Sequence, residues 1–90
     1  MDKAHRSVAL RYRPDKDSAP KVVAKGERLM ATRIIEKARE FGIPVREDPA
    51  LIELLMRVDL YQDIPRELYQ VVAEIFAFVY RIRQRVQNCR

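Results

Sequence analysis

The residue pattern predicts an α/β fold: a small, mostly three-stranded sheet covered by about three helices, in a single compact domain. The stretch Val8–Gly26 is the first indication, because two short apolar runs there flank a polar loop bounded by prolines. The second is a pair of longer segments whose apolar residues recur at helical spacing. Length is the third. Ninety residues bury roughly 60–65% of the surface the unfolded chain exposes, enough for one modest core.

Val8–Tyr12 reads as a strand, with Val8, Leu10 and Tyr12 on one face and Ala9 and Arg11 on the other. Lys21–Lys25 reads as a second, its Val22-Val23-Ala24 run being too short for a helix. Between them Pro14, Asp15, Asp17, Ser18 and Pro20 supply fixed φ angles and side-chain-to-backbone bonds, the chemistry of turns. After Gly26, the residues Met30, Ala31, Ile34, Ile35, Ala38 and Phe41 form one broad apolar stripe, predicting a helix over Glu27–Phe41. Gly42 suits the left-handed position that ends it, and Pro44 forbids continuation. Ile43–Glu47 is expected as a third strand, parallel to its neighbour through a right-handed crossover.

Asp48-Pro49 then starts a second helix, the acid capping the first turn and the proline sitting where no N–H is needed. Leu51, Ile52, Leu54, Leu55, Met56 and Val58 make it apolar on nearly every side, so it is either buried or offers a surface to a partner. Asp59–Ile64 is a connector. Pro65 opens the last helix, along which Leu68, Val71, Val72, Ile75, Val79, Ile82 and Val86 recur at helical spacing, with Tyr69, Ala73, Phe76 and Tyr80 on the flank. Residues 1–7 are expected to be a flexible N-terminus, 8–82 the domain, and 83–90 a basic tail.

Chemistry is sparse. The two glycines make no phosphate loop, and no Cys/His set has metal-ligand spacing, so neither a cofactor nor a metal is expected. His5 reads as an ordinary exposed histidine, and Glu47-Asp48 is better explained by the cap than by paired acid–base carboxylates. No apolar stretch is long enough to be a signal sequence or to cross a membrane, and the single Cys89 fits a reducing compartment. Net charge is +5, with Arg81, Arg83, Arg85 and Arg90 following the last carboxylate, Glu74. A scattered, solvated basic face explains most of that charge. The alternative is a small basic nucleic-acid-binding α/β module, which requires the terminal arginines to cluster with Lys21 and Lys25.

Several segments stand out together: Val8-Ala9-Leu10-Arg11-Tyr12, Asp15, Ala19-Pro20-Lys21-Val22-Val23-Ala24-Lys25-Gly26, Ile43-Pro44-Val45 with Glu47-Asp48-Pro49, and Ile64-Pro65 with Glu67-Leu68-Tyr69, Val72-Ala73-Glu74 and Ala77-Phe78-Val79. In that combination they resemble the C-terminal cytosolic domain of the FlhB family, the export-switch proteins of flagellar type III secretion, and the related YscU-type proteins of injectisomes. Full-length members carry an N-terminal membrane domain, which this sequence lacks. The family's Asn-Pro-Thr-His self-cleavage motif falls on Asp2-Lys3-Ala4-His5, where only the histidine survives. Cleavage in that motif begins with the asparagine amide nitrogen attacking its own main-chain carbonyl, and Asp2 offers a carboxylate instead. The chain thus resembles the standalone FlhX- or YlqH-type fragments that begin near the cleavage point.

The resemblance implies a cytoplasmic docking module, peripheral at the membrane export gate and not an enzyme, that takes part in substrate recognition or the specificity switch. Implied partners are the cytosolic domains of the export-gate proteins FlhA and FlhB and the secreted flagellar substrates or ruler protein, with no nucleic acid and no membrane insertion. It also implies an apolar docking patch, carried onto Ala19 and Pro20 of the loop and Ala73 and Phe76 of the last helix. The competing reading of Ala73 and Phe76 is that they are plain core residues.

Overall fold

The computed structural model describes residues 5–77. Strand β1 (Arg6–Arg11) and strand β2 (Lys21–Glu27) pair antiparallel, with helix α1 (Leu29–Glu40) and helix α2 (Pro49–Leu55) following. A 3₁₀ turn at Arg66–Leu68 leads into helix α3, which starts at residue 69 and runs to the last described residue. The fold is a single α/β domain. Strand β1 begins at Arg6, earlier than the alternation predicts, and takes Ser7 out of the segment expected to be loose. Ser7 is buried, and its hydroxyl donates to the Ala31 carbonyl of α1 at 3.0 Å.

The hairpin therefore has two covered faces. Ser7 faces α1, while the alternating residues Val8 and Leu10 pack on the core formed by Val22, Leu51, Leu55, Val58, Ile64, Leu68 and Val72. The pairing shifts within the hairpin: Ala9 lies opposite Ala24, and Leu10 opposite Val22, so Val23 is an extra residue. Such a bulge reverses the facing of everything beyond it. Lys25, not Ala24, follows Val22 onto the core side, where its Nζ donates to the carbonyls of Met56 (2.9 Å) and Val58 (2.7 Å) just past the end of α2. Gly26 completes this turn of the chain, since a β-carbon there would overlap the Met30 side chain at the start of α1.

Local end signals behave as the residues predict. Asp48 Oδ1 accepts from the Leu51 N–H at 3.1 Å, and Pro49 is the first residue of α2. At the end of α1, Gly42 adopts φ 70°, Ile43 N–H donates to Ala38 O at 2.7 Å, and Gly42 N–H to Arg39 O at 3.1 Å. These are the paired bonds of a Schellman ending. At the other end of α1, Arg28 takes φ 56° while its N–H donates to His5 O at 2.8 Å, so a non-glycine residue makes the turn from strand to helix.

The expected third strand at Ile43–Glu47 is absent: the sheet has two strands, and residues 43–47 are exposed and without regular structure. Among the described residues no parallel pair forms. The edge of β2 is already taken by the 61–64 connector, with Tyr61 N–H donating to Val22 O (2.6 Å), Val22 N–H to Gln62 O (3.3 Å) and Ile64 N–H to Pro20 O (3.0 Å). Lys21 and Asp63 bridge antiparallel in the middle of this contact. Pro44 also lacks the N–H that a paired strand needs. The third piece of extended backbone thus comes from the connector.

Candidate docking surface

The loop between β1 and β2 is closed on itself by Asp17. The Arg13 N–H donates to Asp17 Oδ2 at 2.9 Å, and the Lys16 and Asp17 N–H groups donate back to Arg13 O at 2.9 and 2.6 Å. Asp17 is buried, with the guanidinium groups of Arg11 and Arg13 at 3.6 and 3.7 Å. The Arg13 backbone bond, reinforced by the Arg11, Arg13 and Lys21 charges and opposed by burial, holds its carboxyl below the usual 3.8.

Ala19, one of the four residues expected to form the patch, is 2% exposed, so its side chain pegs the loop into the body. An alanine between Ser18 and Pro20 reads equally as an apolar step on the surface or as an anchor, and burial decides for the anchor. Pro20 is half-buried, and its carbonyl is held by Ile64 N–H. On α3, Ala73 is exposed, whereas Phe76 is half-buried and packs on the core. Phe76 is therefore partly the core residue of the competing reading.

Tyr12, expected only as the last inward residue of the first strand, also belongs to this surface. Its ring meets Phe76 with centroids 5.9 Å apart and planes at 58°, a tilted aromatic contact. It joins the start of the loop to α3 while Tyr12 stays 39% exposed. Its place at the end of the Val8, Leu10, Tyr12 alternation was the available signal, since the last inward position of a strand reaches the rim of the core.

The lysines that a nucleic-acid surface would need are engaged elsewhere. Lys21 is paired with Asp63, and Lys25 donates to two main-chain carbonyls. The terminal arginines and Asp2, Lys3 and Ala4 lie outside the described residues; of the degenerate motif only His5 is described, and it contributes its main-chain carbonyl to Arg28. Among the described residues, no helix is long and apolar enough to cross a membrane.

A sequence model of the FlhB HrpN YscU SpaS family matches residues 1–79. The chain is 42% identical over 83 residues to YlqH of Bacillus subtilis, covering 92% of this chain and 89% of that one. It is 47% identical over 81 residues to the flagellar biosynthetic protein FlhB of Escherichia coli, covering 89% of this chain but 21% of FlhB. The chain thus spans nearly all of YlqH and about a fifth of FlhB. Among solved structures, the cytoplasmic domain of FlhB from Shewanella putrefaciens superposes with a TM-score of 0.84 at 34% identity, over 91% of this chain and 68% of that one. The PscU C-terminal domain superposes with a TM-score of 0.78 at 33% identity, over 83% and 96% of the two chains. Sequence and fold agree, and the chain belongs to the FlhB HrpN YscU SpaS family.

Proposed function

We propose that this chain is a non-catalytic accessory docking module of the flagellar or type III export apparatus, acting in the cytoplasm at the export gate. It receives export substrates or helps switch their class by binding, and its partners are the cytosolic domains of FlhA and FlhB together with secreted substrates or the ruler protein. The observation that supports this is the Tyr12–Phe76 contact, which ties a self-closed loop to α3 and leaves Tyr12 and Ala73 exposed beside the half-buried Pro20. A surface braced in this way binds without ordering itself first, which lowers the cost of association. Asp2 in place of the asparagine nucleophile supports the absence of self-cleavage.

The test is binding of the purified chain to the FlhA and FlhB cytosolic domains and to early and late export substrates. Ala73→Glu serves as the surface variant because Ala73 is exposed on a helix and its replacement leaves the core intact. Binding weakened about tenfold, a loss of roughly 1.4 kcal/mol, is expected. A folded chain that binds none of these proteins, or an Ala73→Glu chain that binds as well as the parent, refutes the reading. Loss of N-terminal mass on incubation refutes its non-catalytic part.

A further inference from the structure

The chain also carries a groove whose lining includes none of Tyr12, Ala73 and Phe76. An open groove of about 550 Å³ lies between the end of α2 and the approach to α3, floored by Leu54, Val58, Pro65 and Leu68. Val58 and Leu68 are buried, whereas Leu54 is 43% exposed and Pro65 is exposed. Its floor is therefore apolar and partly wet. Three carboxylates, Asp59, Asp63 and Glu67, line it together with one guanidinium, Arg57; Asp63 is already paired with Lys21, which leaves Asp59 and Glu67 to meet a ligand.

Charge says what kind of molecule fits. With Asp63 paired, Asp59 and Glu67 against Arg57 leave the groove lining net acidic in a chain whose net charge is +5. Nucleic acid and anionic lipid are repelled from it, while a cationic polypeptide is attracted. We infer that this groove docks a cationic amphipathic segment of a second protein, an apolar side chain resting on Leu54 and Pro65 and Lys or Arg side chains meeting Asp59 and Glu67. This site stands independently of the Tyr12–Phe76 surface, because it shares none of its residues.

The experiment titrates the isotopically labelled chain with a short amphipathic Leu/Lys peptide and with its twin in which every Lys is Glu. Amide shifts confined to residues 54–68 with the Lys peptide, and none with the Glu twin, are expected. Asp59→Lys reverses one exposed rim charge and should weaken binding about tenfold, with the affinity falling as salt is raised. Leu54→Glu, at an exposed position, should abolish it. Equal binding of both peptides, shifts that map elsewhere, no binding, or no effect of Asp59→Lys each overturns the inference. Self-association of the chain that Asp59→Lys removes also overturns it, by assigning the groove to a second copy.

Discussion

Replacing Lys25 by methionine tests whether the hairpin is clamped to α2 as the bulge implies. The substitution keeps most of the aliphatic stem but removes the two donors that reach Met56 O and Val58 O. A hydrogen bond from a charged group contributes about 1.5–3 kcal/mol when water is excluded. Lys25 is half-buried, so water takes over part of the lost bonding, and the pair together is expected to contribute about 2–3 kcal/mol. In urea, with a slope of about 1 kcal/mol per molar for a domain this small, the midpoint falls by roughly 2–3 M. Lys37→Met is the matched control: Lys37 is exposed and sits 5.8 Å from the centre of the Phe41 ring. It should cost no more than about 0.5–1 kcal/mol. Hydrogen exchange should accelerate at the 52–60 amides in the Lys25 variant alone. Equal midpoints for the two variants, with unchanged slopes, would refute the clamp and with it the bulge-directed facing of Lys25.

Acid should loosen the β1–β2 loop selectively. Because folding lowers the Asp17 pKa, its contribution is complete above the unfolded value near 3.8 and is lost as pH falls through the lower folded value. Exchange at the Arg13 amide followed from pH 5 to 2 should show this, and Asp17→Asn should remove that part of the dependence. Gly42→Val should cost about 1–2 kcal/mol from backbone strain alone, since φ is 70° and nothing lies within 4 Å of an added β-carbon; thermal melting reads it, and Gly42→Asn should recover much of the loss. Asp48→Ala, which leaves the Leu51 N–H without its side-chain acceptor, should cost about 1 kcal/mol in the same assay.

What could be read directly from the chain was local. Asp48-Pro49 and Gly42 announce helix ends because a cap needs only neighbours in sequence, and both behave accordingly. Ile43-Pro44-Val45 looked like a strand for its β-branched residues, but a strand needs an edge, and residues 61–64 had taken it. Nothing within Ile43–Glu47 reports that competition. The bulge at Val23 is hidden for the same reason: it exists only in the register between Ala9-Leu10 and Val22–Ala24.

The docking surface divides along the same line. Ala73 and Phe76 share a helix flank by their spacing, so their adjacency was legible, while the depth of Phe76 depends on Tyr12, a residue far away in the chain. In the loop, holding and presenting residues alternate: Asp17 and Ala19 are buried, and Ser18 is exposed between them. Composition cannot separate those roles, because an alanine inside a polar loop suits either. Burial does separate them, and it changes what a substitution at each position reports. Ala19 and Asp17 fix the loop's shape, so changing them perturbs folding and binding together, whereas Tyr12 and Ala73 are exposed enough for the two effects to be measured apart.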